Sequence, residues 1–176
     1  MHSRPAFAPR RFLHGSAFLT LALLIAAAVL AGCAGYSPQG LPAGSSSAQA
    51  IGQLGLPTGR YPLENGTRLE FARGPYGKHT YMLDFDANDR LIEWEQVLTE
   101  QNFLELKIGM SKAEVLRRIG HPSHVQFLSR QQHQLWSYRY ETPFCIWFQV
   151  SLDNSDRVGE LGHNMDPVCE SRGGFL

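Results

Sequence analysis

The sequence has no surplus of either charge. Sixteen Lys and Arg are matched by sixteen Asp and Glu, which excludes the basic footprint of a nucleic-acid binder and the one-sided composition of a disordered polyelectrolyte. Cysteine is scarce, three in 176 residues with no short spacing between any two. The chain is also too short for a large catalytic barrel or a doubly wound domain, which need about 200 residues or more. With 43% hydrophobic residues, it can bury one modest core or two small fused ones. Acidic residues are absent from the first 32 positions, where Arg4, Arg10 and Arg11 lie. The chain from Cys33 onward therefore carries a formal charge of −3.

That imbalance marks an address. Met1 to Arg11 is basic, and Ala17 to Ala31 is an almost unbroken apolar run, shorter than the ~20 residues a membrane span needs and suited to a signal-peptide core. Residues 1–32 are thus expected to be removed. Leu30-Ala31-Gly32-Cys33 resembles the bacterial lipobox at all four positions. The resemblance implies cleavage after Gly32, a lipid on the Cys33 sulfur and an acylated N-terminus. The alternative is an ordinary signal peptide with Cys33 a plain thiol. Several acyl chains, each contributing about 0.8 kcal/mol per buried methylene, anchor durably where one does not. Ala34, in place of Asp, is similar to lipoproteins sent on to an outer membrane. Residues 33–45, rich in Gly, Pro and Ser without charge, read as a flexible tether.

Two cysteines remain, Cys145 in an expected strand and Cys169 in an irregular tail. In an oxidising compartment a bridge between them would close a loop of about 24 residues and contribute roughly 3 kcal/mol. The alternatives are two buried thiols or a reactive Cys145. The bulky neighbours Phe144, Ile146 and Trp147 offer a thiolate nothing.

The body repeats itself. Shifted by 65, residues 44–57 lie over 109–122, with Gly44, Ser46, Ala48, Gly55 and Pro57 on Gly109, Ser111, Ala113, Gly120 and Pro122. Each copy encodes a short helix, capped by Ser46 or Ser111 with Gln49 or Glu114 completing a capping box. Gly55 or Gly120 supplies the left-handed end, and Pro57 or Pro122 prevents continuation. The shift then becomes 67, so two residues are inserted in a loop of the second copy. Leu69 and Phe71 match Trp136 and Tyr138; Tyr81, Leu83 and Phe85 match Phe148, Val150 and Leu152; Asp86, Asp89, Arg90 and Leu91 match Asp153, Asp156, Arg157 and Val158. Period-two alternation predicts three strands after each helix, with turns at 74–77, 86–89, 141–143 and 153–156. Thr99 to Leu106 reads as an extra helix between the copies.

The run Gly109-Met-Ser-x-x-Glu114-Val115, Gly120-x-Pro122, Trp136-Ser-Tyr138 and Asp153-x-x-x-Arg157-Val158 resembles the BamE domain (SmpA/OmlA lipoproteins). The likeness covers Thr99 to about Leu161. It implies a lipid-anchored protein, two helices on a three-stranded meander, and a role beside the machine that inserts β-barrel proteins. The tandem is also similar to the fold of β-lactamase inhibitor protein. The expected fold is therefore α+β, two tandem helix-plus-three-stranded antiparallel units with helices on one face of the sheet. Residues 46–98 form the first, truncated unit, 99–162 the second, and 163–176 a tail. Fold likeness alone transfers no function.

Candidate chemistry is sparse. Glu93 and Glu95 flank Trp94 on one strand face, a spacing open to acid–base work, though no nucleophile or sugar platform accompanies them. Gly74-Pro-Tyr-Gly77-Lys78-His79 is half a phosphate loop, with Ala72 for the first Gly and His79 for the Ser/Thr, and reads as a hairpin turn. His121, His124, His133 and His163 lack zinc-ligand spacing, and Asp86–Asp89 and Asp153–Asp156 lack the Gly and Glu of a calcium loop. No catalytic residue, metal site or cofactor is expected. Trp136, Tyr138, Tyr140 and Trp147 are the candidate partner surface, their alternative being core between the copies. Trp147 is the preferred interface or disulfide-shielding residue.

The resulting expectation is a non-catalytic outer-membrane lipoprotein facing the periplasm, accessory to β-barrel assembly or envelope integrity. It would bind the membrane through lipid and envelope proteins through contact. The alternative is a periplasmic inhibitor or ligand sensor that holds a hydrolase on a concave sheet.

Overall fold

A computed structural model describes residues 36–130 and 132–170. Cys33, the leader and the last six residues lie outside this range. Residues 37 to 170 belong to one compact unit. Its elements are α1 (Ser47–Leu54), β1 (Gly59–Leu63), β2 (Gly66–Ala72), β3 (Thr80–Asp86), β4 (Leu91–Gln96), α2 (Glu100–Leu104), α3 (Lys112–Ile119), β5 (His124–Leu128), β6 (His133–Tyr138), β7 (Ile146–Leu152), β8 (Val158–Met165) and α4 (Pro167–Glu170). The class is α+β, with two four-stranded antiparallel meanders, β1-β2-β3-β4 and β5-β6-β7-β8. Among the described residues no helix is long and apolar enough to cross a membrane.

Each sheet thus has four strands where three are expected. The added ones, β1 and β5, are edge strands of five residues with little buried surface; β1 is interrupted by Pro62 and β5 alternates only through Val125 and Phe127, runs too short to mark a strand. They also locate the insertion. Leu63 pairs with Gly66 across a two-residue turn, whereas Leu128 pairs with His133 across four residues.

Equivalent residues make the same bonds in both halves. Ser46 and Ser111 accept from the amides of Gln49 and Glu114, whose side chains return to the cap amides. Asp86 and Asp153 each accept from two amides of their turn, and Asp89 and Asp156 sit at φ 59° and 55°. Arg90 and Arg157 reach back to the carbonyls of Gly44 and Gly109. Both sheets shift register by one residue at the same place, Asp84/Phe85 and Ser151/Leu152.

These bonds correct the end of the stretch read as a tether, where Gly44 and Ser45 are held; residues 33–35 lie outside the described range. Gly44 N–H donates to Leu91 O (2.9 Å) and Leu91 N–H to Ser45 O (2.8 Å). Gly109 and Met110 bond Val158 in the same way. Low hydrophobicity predicts disorder only when the backbone has nowhere to bond, and here the outer edge of β4 receives it. The tail is corrected likewise: residues 163–165 complete β8, and α4 follows.

The helix α3 turns its stripe, Val115 and Ile119, into a core with Trp136, Tyr138, Phe148, Val150 and Leu152 of the second sheet. Its other end meets the first sheet. β3 is buried on both faces: Leu83 and Phe85 point one way, and Met82 and Asp84 the other. On this second face Arg68 clasps Asp84 with two bonds of 2.6 and 2.7 Å and donates to Arg117 O at the end of α3 (3.2 Å). Beside it Glu70 has no exposed surface. Its carboxylate accepts from Tyr61 Oη (2.6 Å) and His121 N–H (2.8 Å), and His121 Nδ1 stands 2.8 Å away, where the Nδ1–H tautomer donates. Burial, then the bond to Glu70, push the Tyr61 phenol far above its usual value.

Two glycines end α1 and α3 in one conformation, φ 85°, ψ −168° for Gly55 and φ 77°, ψ −165° for Gly120. This is the glycine-only region, not the left-handed helical one expected. Their surroundings differ. A Cβ on Gly55 would meet nothing within 4 Å, whereas one on Gly120 would stand 2.8 Å from the Glu70 carboxyl and 3.0 Å from Thr80. Gly55→Ala is expected to cost roughly 1–3 kcal/mol from the backbone alone, and Gly120→Ala more. Denaturant unfolding of the two variants measures the difference, and equal losses would contradict a tight seam. Glu70→Gln, whose NH2 either faces the His121 amide or requires Tyr61 and the His121 ring to accept instead of donate, is expected to cost about 2 kcal/mol in the same assay.

Candidate interaction site

Of the two readings of the aromatic residues, partner surface or core, their burial supports core, and Tyr140 also lines the cleft below. Trp136, Tyr138 and Tyr140 are all buried. Lys112 Nζ covers the Trp136 ring at 5.4 Å, Tyr138 Oη donates to Gly120 O (3.1 Å), and Tyr140 Oη donates to Glu100 (2.5 Å) while Phe103 meets its ring edge-on. Burial and the Glu100 bond push the Tyr140 phenol up to about 12. A strand pattern reports that one face is apolar and not what covers it; here α2 and α3 do. Trp147 points to the opposite face, yet it too is only 7% exposed. It lies between His124, stacked at 6.1 Å, and the Arg139 guanidinium at 5.2 Å. Trp147 is therefore nearly buried beside Arg139 and offers little surface to a partner.

On Arg139 opens a cleft of about 300 Å³. Three segments converge on it: the β2–β3 loop with Tyr76 and Lys78, the end of β6 and its loop with Arg139 and Phe144, and the chain around α4 with Asp166 and Cys169. Cys145 and Cys169 are bonded, with Cα atoms 6.2 Å apart, inside the range a disulfide spans. The bridge closes 24 residues of sequence separation and holds α4 against the start of β7, where Asp166 N–H donates to Cys145 O (3.0 Å).

Arg139 organises the cleft. It grips Asp166 with two parallel bonds, 2.5 and 2.8 Å, in the bidentate geometry that suits guanidinium to carboxylate. A further N–H donates to Pro75 O. Its plane lies 5.4 Å from the Tyr76 ring and 5.2 Å from Trp147, within cation–π range. The Arg139 bond holds the Asp166 carboxyl below its ordinary value. Tyr76 and Phe144 stand on the rim, 76% and 69% exposed. An arrangement of two exposed rings beside a satisfied cation suits an apolar or aromatic side chain with a nearby acceptor.

Other candidates lie apart. Glu95 accepts from Asn102 (2.6 Å), and Glu93 shares its strand face with the Arg68–Asp84 pair. Gly77 N–H donates to Gly74 O in a turn. His121 bonds Glu70, His124 stacks on Trp147, His133 stands 3.3 Å from Ser151 Oγ, and His163 3.4 Å from Glu100. Among the described residues no three His, Cys, Asp or Glu side chains are placed to hold a metal ion. Sequence reasoning missed Arg139, Asp166, Tyr76 and Phe144. Only Asp166-Pro167, a cap-then-proline start for a helix, was there to signal one of them.

The pair is nearly buried, the side chains of Arg139 and Asp166 being 12% and 10% exposed. Asp166→Asn leaves the guanidinium without its counter-charge and is expected to cost about 3 kcal/mol at neutral pH. Because the folded carboxyl is held low, the wild-type bond contributes fully above the ordinary aspartate value of 3.8 and is lost as pH falls through the depressed one. Thermal unfolding at pH 7 and pH 3 should show the variant closer to wild type at the lower pH; a constant gap would contradict the pairing.

No family model matches the chain, and no curated protein matches it; the likeness to BamE thus remains one of residue pattern. Two solved structures are similar over 73% of the chain. One is a candidate β-lactamase inhibitor protein of Streptococcus mutans, 14% identical, with 87% of that chain covered and a TM-score of 0.31. The other is the DUF4309 family protein YjgB of Bacillus subtilis, 13% identical, with 84% covered and a TM-score of 0.29. Superpositions this loose carry no function across.

Proposed function

We propose that this chain is a lipoprotein of the outer membrane, anchored through an acylated Cys33, whose periplasm-facing domain acts by contact. Its setting is β-barrel assembly or the upkeep of the envelope. The observation that carries the reading is Leu30-Ala31-Gly32-Cys33 behind a basic segment and a short apolar run. Four matched positions at that place suit the presentation of a thiol for lipid transfer and then of a free amine for acylation. The folded domain supplies the second half of the argument. Its disulfide-stapled cleft sets exposed Tyr76 and Phe144 around Arg139, and rings of this kind contribute most of the energy in protein contacts. The BamE-like residue pattern of 99–161 favours barrel assembly among envelope tasks.

The test is Cys33→Ser with fractionation of the cells. The variant is expected in the soluble periplasmic fraction while the parent chain stays with outer membranes; a variant retained like its parent sinks the anchor. Affinity purification from crosslinked membranes then names the setting. Barrel-assembly subunits support the accessory role, and recovery of one stoichiometric soluble hydrolase would replace it with that of an inhibitor.

A further inference from the structure

Two open sheets leave four edges, and an edge strand is a row of unpaired N–H and C=O groups that must be blocked or used. Three edges here are blocked. β1 carries Arg60 and Pro62, β4 carries Glu93 and Glu95 and is met at Leu91 by Gly44 and Ser45, and β8 carries Glu160 and is met at Val158 by Gly109 and Met110. The fourth is bare. β5, His-Val-Gln-Phe-Leu, has no proline and no Asp, Glu, Lys or Arg, and its one strand neighbour is β6. Val125 and Phe127 are 51% and 57% exposed. Opposite Trp136 and Gln134 in the register, they point to the side where α3 packs.

We propose that β5 is a self-association edge that pairs antiparallel with β5 of a second copy, about a two-fold axis through Gln126. The sequence of the strand selects both the occupant and the register. About Gln126, Val125 lies opposite Phe127 of the other copy, twice, on the helix-side face. Gln126 faces its own counterpart and His124 faces Leu128 on the other side. A slip of one residue would set Val125 against Gln126, apolar against polar, and lose both pairs. A two-fold contact needs such a self-complementary patch, and no charge on the strand opposes it. The product is one continuous eight-stranded sheet, β8 to β5 and β5 to β8, with the bare edges gone.

The experiment uses the full chain with one added cysteine, Gln126→Cys, oxidised in its own membranes and in detergent. Its control is Ile92→Cys, exposed on the blocked β4 edge. The expected result is a disulfide-linked dimer at position 126, with a yield at 92 on the order of tenfold lower. Adding Val125→Lys and Phe127→Lys, which sets lysines opposite each other across the axis, should remove that dimer. Both sites are half exposed and tolerate a lysine stem, so the variant should keep its far-UV spectrum and unfolding midpoint. Sedimentation in detergent should give a dimer for the parent chain and a monomer for the double-lysine variant. A parent chain that is monomeric and uncrosslinked, equal crosslinking at 92 and 126, a dimer indifferent to the lysines, or an adduct of the Gln126→Cys variant with a different protein would each overturn the proposal.

Discussion

The arrangement of the domain rests on one carboxylate. Glu70 is buried with no exposed surface at the place where the first sheet meets the end of α3. An ionised group there costs several kcal/mol unless every lone pair is answered. The answers come from both halves: Tyr61 from β1, and the amide and ring of His121 from the turn after α3. Each demands a further constraint. Gly59 and Gly120 must lack a Cβ, because either would strike the carboxylate, and Tyr138 must fix the Gly120 carbonyl from the second core. Burial and the nearby Glu70 charge then raise the Tyr138 phenol well above its usual value. One hydrogen-bonded centre thereby couples two sheets that share no strand pairing.

Much of this was legible in the sequence wherever a local rule had a local cause. Ser46 with Gln49 and Ser111 with Glu114 announced capping boxes, and both formed. Asp86 and Asp153 announced turns with the same amide bonds, and the change of shift from 65 to 67 announced an insertion that falls between β5 and β6. What stayed hidden depends on partners distant in the chain. β1 and β5 are exposed edges of five residues, too short for the alternation they carry to stand out. Gly44 and Ser45, at the end of the Gly-Pro-Ser stretch before α1, are held by β4, some 45 residues on. Trp136, Tyr138 and Tyr140 could not be divided between surface and core until α2 and α3 were placed over them. Glu70, alternating with Leu69 and Phe71, looked like any solvent-facing residue of a strand.

At the cleft, one guanidinium meets three demands: a carboxylate, a carbonyl and two aromatic faces. A side chain so fully committed contributes shape more than free charge. The disulfide acts on the same ground from the other side, since α4 is too short to hold itself and Cys169 pins it to the start of β7. Rigidity of this kind lowers the entropy lost if a partner is bound.

The two halves share their turns and caps but not their seam. At the positions equivalent to Arg68, Glu70 and Asp84 the second half has Leu135, Ser137 and Ser151, and Ser137 accepts only from Gln149 of its own sheet (2.9 Å). Stacked modules can in principle grow without limit, each receiving the next as it received the last. Here the second half lacks the residues with which the first receives its neighbour, so the chain has a direction as well as a repeat.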